Sequence, residues 1–266
     1  MPTTEPQDLP DRLFDFAMIP RFPENLKELA DLAEPEDWNY HGASSDRELP
    51  ILHSYLRYTY GRLAEESRVR EQRKIVLSDD DGAACFNTGL VTPNQEEIYA
   101  FFVVNHMPDK PYWHFNRFCR RGEHQLTAFP RLPEMANYYD DPSQLVYDSR
   151  KELRVNVEHI VQDNKDRFPE PYRTMKNYAV QTFLKGTIDN ALQRVRRNYK
   201  TAIPQYYQGS IQLLLPLCIS APGQADLALV AAKYGEFYRA TTCLTLDMAY
   251  NNARLLARPD RDWLLP

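Results

Sequence analysis

Two stretches in the second half of the chain carry polar side chains on otherwise apolar helical stripes. Helical spacing over residues 151–168 places Asn156 and Asn164 four residues either side of Ile160, on the stripe of Leu153 and Val157. A buried amide without partners costs about 1–3 kcal/mol, so each must meet other polar groups. They either clasp a loop backbone or face a pocket, with Arg167 close by in sequence. His159 lies beside the stripe and is the candidate acid or base, against the plainer role of a structural histidine. In a last helix over 246–257, Asp247, Asn251 and Arg254 share one face. An acid, an amide and a guanidinium in that order suit a metal-bound phosphate or a base edge. The plainer account has Thr245 capping the helix, Asp247 favouring its positive end, and the others solvated.

Asn87-Thr88-Gly89 follows a strand, and Asn and Gly tolerate a left-handed backbone that turns amides into one concavity. That suits a phosphate, and equally an ordinary turn. His114 alternates with Trp113 and Phe115 and so faces away from them, toward a ligand if there is one. His106, His114, Cys119 and His124 fall close together but without the paired spacing of a zinc site, so no metal is assigned. No Gly-x4-Gly-Lys loop, Gly-x-Gly-x-x-Gly fingerprint or Gly-x-Ser-x-Gly elbow occurs, and the chain has only nine glycines. No cofactor is assigned. Cys85 and Cys218, in apolar strands, read as inert.

Charge is unevenly spread. The formal net charge is −5, yet residues 1–50 hold twelve acids against four bases. Residues 171–208 hold seven bases against Asp189 alone. Lys185, Arg196, Arg197 and Lys200 on a long helix therefore keep a local positive field that attracts polyanions, unless they pair with the acidic segment. Seventeen tyrosines interleave with such bases, as in Arg196-Arg-Asn-Tyr-Lys200, Tyr172-Arg173 and Tyr206-Tyr207. Rings that stack on bases beside cations that hold phosphates are the pattern of single-strand binding.

Three phrases are long, polar and specific: Cys85-Phe-Asn-Thr-Gly-Leu90, Asn156-Val-Glu-His-Ile160 with Asn164 and Arg167-Phe168, and Leu246-Asp-Met-Ala-Tyr-Asn-Asn-Ala-Arg254. In them the chain resembles an uncharacterised bacterial family, a domain of unknown function numbered thirty-eight twenty-five, over about 38–265. Members of that family are sometimes fused to RNA-binding helix-turn-helix modules, so the resemblance implies a bias toward RNA. It supplies no catalytic residues.

The elements that must position these residues follow from periodicity. Helices are expected at about 24–33, 49–66 and 151–168, from Pro171 to about 202, and at 246–257. The apolar positions of the long helix are Phe183, Leu184, Ile188, Leu192, Val195 and Tyr199, and Pro204 stops it. Strands are expected at 74–77 and 84–86 around the turn Asp79–Gly82, then at 98–104, 112–118, 211–219, 226–233 and 237–245. Blocks of strand and helix without strict alternation predict an α+β fold: a mixed or antiparallel sheet against several helices, one long. The expected organisation is an acidic, partly irregular segment at 1–37 and one domain at 38–266.

An apolar share of 43% and a charged share of 26% fit a globular chain rather than a disordered one. The densest apolar run, Tyr99–Val104, is only strand length, so no membrane partner is expected. Acids at Glu5, Asp8 and Asp11 do not read as a secretory signal, and four scattered cysteines suit a reduced cytoplasm. The favoured function is a nucleotide- or single-stranded-RNA-binding protein with a basic and aromatic groove. Two alternatives stay open: a phosphoryl-transfer or hydrolytic enzyme acting on a nucleotide or RNA through His159 or Asp247, and a protein-interaction scaffold. Whether the chain is an enzyme, and whether it forms a homo-oligomer, the sequence leaves undecided.

Overall fold

The computed structural model describes residues 9–42, 44–69, 73–259 and 263–264. It divides into two compact units, Met1–Asn39 with Ser45–Asn137, and Tyr40–Ser44 with Tyr138–Pro266. Residues 9–39 are built into the first unit, where Leu13, Phe16, Leu26, Leu29 and Trp38 are buried. The expected residues 1–8 of the acidic segment lie outside the described residues.

The first unit contains α1 (Leu13–Phe16), β1 (Ala17–Met18), α2 (Phe22–Leu32), α3 (Pro50–Val69), β2 (Ile75–Leu77), β3 (Ala83–Val91), β4 (Glu97–Val104) and β5 (Trp113–Arg120). Its sheet runs β1-β5-β4-β3-β2, antiparallel except for the pair β1–β5. Alternation divides the strands between two cores. Cys85, Tyr99, Phe101 and Cys119 pack with Leu126 and Phe129. Phe86 and Phe102 stack with ring centroids 5.5 Å apart, Tyr60 of α3 lies 5.8 Å from Phe86, and Phe16 lies 5.3 Å from Phe102. Such aromatic pairs add about 0.5–1.5 kcal/mol each beyond the area they bury.

The second unit contains β6 (Glu152–Val155), α4 (Val157–Asn164), α5 (Asn177–Arg197), β7 (Ile203–Tyr207), β8 (Ser210–Leu217), β9 (Leu227–Tyr234), β10 (Phe237–Ala240), β11 (Cys243–Thr245) and α6 (Leu246–Ala253). The sheet order is β6-β10-β9-β8-β7, with β11 also paired to β9, and only β6–β10 is parallel. Leu213, Leu215, Leu217, Leu229, Ala231, Tyr238 and Ala240 point to one face. There Ile160 and Val161 of α4 and Val180, Leu184, Ile188, Ala191 and Val195 of α5 cover them. Helix α6 packs from the opposite face, through Ala249, Tyr250 and Ala253. The α+β class with mixed sheets and one long helix is as the sequence indicates.

Two local expectations are corrected. The stretch 151–168 is not one helix. Glu152-Leu-Arg-Val155 alternates exposed and half-buried positions as β6, and Asn156 then caps α4 by accepting from the His159 amide at 3.2 Å. Helix α5 ends at Arg197, and Pro204 lies inside β7, a sheet-edge strand where proline is tolerated. Phe183 and Tyr199 are 51% and 64% exposed, not inward.

Candidate functional site

The face of the second sheet turned away from α4 and α5 carries a different set of side chains. Strand register aligns Gln205, Gln212, Ala232, Arg239 and Arg154 as one row across β7, β8, β9, β10 and β6. Small residues at Val230 and Ala232 leave space above the sheet, and a cavity of about 720 Å³ occupies it. That volume lies within the roughly 300–1,000 Å³ of small-molecule sites. Its rim includes Tyr207 and Tyr234, 46% and 50% exposed, with Arg239 and Arg167 as cations. Helix α6 closes one side with Asp247, Met248, Asn251 and Asn252, and Tyr40, Asp166 and the stretch 241–245 contribute further lining.

The polar groups of this cavity are mostly fixed in place. Asn252 donates to Gln205 Oε1 at 3.2 Å, and Gln205 donates to Gln212 Oε1 at 2.9 Å, an amide ladder across the floor. Thr245 caps α6 by accepting from the Met248 amide at 3.3 Å. Asp247, buried in the first turn, accepts the His41 amide at 3.0 Å and the Gly42 amide at 2.9 Å. Arg167 donates to the Cys243 carbonyl, which holds the guanidinium at the cavity edge. Asn251 Oδ1 is buried and accepts no hydrogen bond among the described residues. A side-chain oxygen left so costs about 1–3 kcal/mol unless something else donates to it.

Of the residues singled out by sequence, Arg167, Asp247 and Asn251 meet at this cavity, together with Tyr207 from the aromatic pattern. Asn164 stands behind it. Its Oδ1 accepts from the Thr242 hydroxyl and the Cys243 amide, both at 2.8 Å, so it clasps the strand that forms the cavity edge. Arg254, the C-cap of α6, is buried and does not line the cavity. Asn156 is an exposed helix cap. His159 is exposed on α4, paired to Asp163 at 3.3 Å, and α4 belongs to the other face of the sheet. The cations Lys185, Arg196 and Arg197 of α5, and Lys200 in the turn just past its end, are exposed. They do not border the cavity, because α5 turns its apolar side to the sheet face opposite it.

In the first unit, Asn87 and Thr88 are buried in β3 at a register shift and form no open concavity. Asn87 donates to Glu97 at 3.0 Å and accepts the Gly89 amide at 2.9 Å. Thr88 donates to the Ile98 carbonyl at 2.7 Å, and Tyr55 donates to the Thr88 carbonyl at 3.0 Å. His114 is half-buried in β5, opposite Val103 on β4. A smaller cavity of about 380 Å³ beside Lys74, Arg131 and Glu134 contains none of the singled-out residues. Among the described residues, no group of three or more His, Cys, Asp or Glu side chains could hold a metal ion, and no helix is long and apolar enough to cross a membrane.

A family model described as Domain of unknown function (DUF3825) matches residues 29–263. The chain belongs to this family. The DUF3825 match takes in every residue that lines the cavity, from Tyr40 to Asn252. No curated protein and no solved structure is matched.

Within this DUF3825 chain, sequence reasoning passed over Gln205, Gln212, Tyr234 and Arg239. The available signal was alternation. Gln205, Tyr234 and Arg239 each lie two residues from another cavity-lining position, Tyr207, Ala232 and Thr241, and Gln212 precedes the inward Leu213, on strands whose other side reads Leu213-x-Leu215, Leu229-x-Ala231 and Tyr238-x-Ala240. Only strand register brings those four to one place.

Proposed function

We propose that the cavity of the second unit binds a nucleotide, free or as part of single-stranded RNA. One observation carries this reading: two half-exposed tyrosines and two arginines surround one cavity with an amide-lined floor. Stacking on such a ring contributes about 1–3 kcal/mol per base in single-strand binders. Arg239 and Arg167 supply charge for phosphate, and Asn251 offers an unused acceptor to a base or ribose donor. The hydrolytic alternative has less support. Asp247 already accepts two backbone amides, and His159 is on α4, away from the cavity lining.

The test is calorimetric titration with the four nucleoside monophosphates and short RNA oligomers. Tyr234→Ala and Arg239→Ala are each expected to weaken binding about tenfold or more. Joint charge reversal at Lys185, Arg196, Arg197 and Lys200 is expected to leave it within about threefold, since screening limits distant charges. No binding by any of these ligands, or loss confined to the α5 variant, would refute the assignment.

A further inference from the structure

The sheet face does not stop at the cavity. Beyond Tyr234, the Phe237 ring stacks beside it with centroids 6.0 Å apart and planes 16° from parallel. Arg154 then lies over Phe237, its guanidinium carbon 4.0 Å from the ring centroid, while Arg239 stands 6.0 Å from Tyr234. The series is cation, ring, ring, cation, across β9, β10 and β6. Register sets Arg239 directly beside Arg154 on neighbouring strands. Like charges in that relation are unfavourable. Glu152 at 2.8 Å relieves Arg154, but no carboxylate pairs with Arg239 among the described residues. Tyr234, Arg239 and Arg154 are all exposed, so the row is not a piece of buried core.

Two neighbouring cations beside a pair of stacked rings on an open sheet offer both partners that a chain of phosphates and bases needs. We infer that the ligand is a single-stranded polynucleotide rather than a lone nucleotide, running from the cavity outward over Tyr234, Phe237 and Arg154. The inference rests on the nucleotide reading of the cavity and adds its direction and length. Adjacent strands are about 4.8 Å apart, so β9 to β6 extends the site by roughly 10 Å. In this reading Arg154 and Arg239 hold successive phosphates, and the pairing that is unfavourable in the empty protein becomes favourable once an anion lies between them.

The experiment compares UMP with uridine di-, tetra- and octanucleotides and their deoxy counterparts, by fluorescence anisotropy competition against a labelled octamer. The wild-type chain is set beside Phe237→Leu, which keeps apolar volume without a ring, and Arg154→Gln, with thermal melts confirming that both fold. Expected is affinity that rises with length in at least one sugar series. Each variant should lower octamer affinity about tenfold while leaving UMP affinity unchanged. Arg154→Gln should also flatten the logarithmic salt dependence by about 0.7. UMP binding with a length gain that survives in both variants overturns the extended track and leaves the cavity reading standing. Failure of every length to bind overturns the cavity reading, and the track with it.

Discussion

Lys74 is 5% exposed, and its ammonium donates to Glu134 Oε2 and to the Met135 carbonyl, each at 3.1 Å. Glu66 is equally buried, accepts from Arg62 and from the Asn137 amide, and has its second oxygen 3.9 Å from the same ammonium. Lys74→Ala removes a buried ammonium and leaves Glu66 with Arg62 as its cation, so it should cost clearly more than removal of Glu134, which is more than half exposed and should cost under about 1 kcal/mol. Urea denaturation of the two variants checks this, and equal losses would contradict it. The thiols give a second expectation. Burial pushes Cys119 up to about 11 and Cys243 up to about 12, and raises Cys85 further still. Only the thiolate is nucleophilic, so at pH 8 these three stay protonated in the folded chain. Iodoacetamide followed by mass spectrometry should find Cys218, half-buried, labelled first. Gly89 is a third case. Its φ of 75° and the Tyr55 hydroxyl, 2.6 Å from where a Cβ would lie, leave no room for a side chain. Residue identity in Asn87-Thr88-Gly89 announced a special backbone, but not that its amides and hydroxyls are consumed inside the sheet.

Elements were legible where one period dominates. Helix α3, the hairpin β2–β3, the strands β4, β5, β8 and β9, and helix α6 all occur close to where alternation or helical spacing puts them. They failed where two periods overlap. Leu153, Val157 and Ile160 satisfy a helical stripe, yet Leu153 and Val155 also satisfy a strand, and pairing with β10 decides in favour of the strand. In α5 the apolar arc is Val180, Leu184, Thr187, Ile188, Ala191 and Val195, which leaves Phe183 at its edge. Leu184→Ala should therefore cost about 2–5 kcal/mol, and Phe183→Ala far less despite the larger ring. Thermal melts by circular dichroism separate them, and the reverse order would mean that α5 is rotated from this arrangement. The cavity was only partly legible for the same reason. Asp247 and Asn251 are one turn apart on a single helix, whereas Arg167, the tyrosines and Arg239 become their neighbours only through the fold.

At the scale of the whole chain, charge blocks suggested one basic surface, but the cations that matter to the cavity are two arginines from separate segments. The division of the chain was illegible because it is not sequential. The five residues Tyr40–Ser44 belong to the second unit, although the residues on both sides belong to the first. Their amides at His41 and Gly42 are what Asp247 accepts, and a Cβ at Gly42 would come within 3.2 Å of that carboxylate. A fragment of residues 138–266 lacks both donors, so it should melt lower than the second unit in the full chain. In the fragment Asp247→Asn should cost less than in the full chain, because the carboxylate then has fewer partners to lose. Identical costs in the two backgrounds would show the contact to be idle.

That five-residue excursion bears on inheritance. A gene segment copied from residue 138 onward would leave behind the donors that anchor its own last helix, so the halves are poor cassettes for recombination. What the second unit needs from upstream is the short stretch 40–44, which reaches it only with the first unit's sequence on both sides.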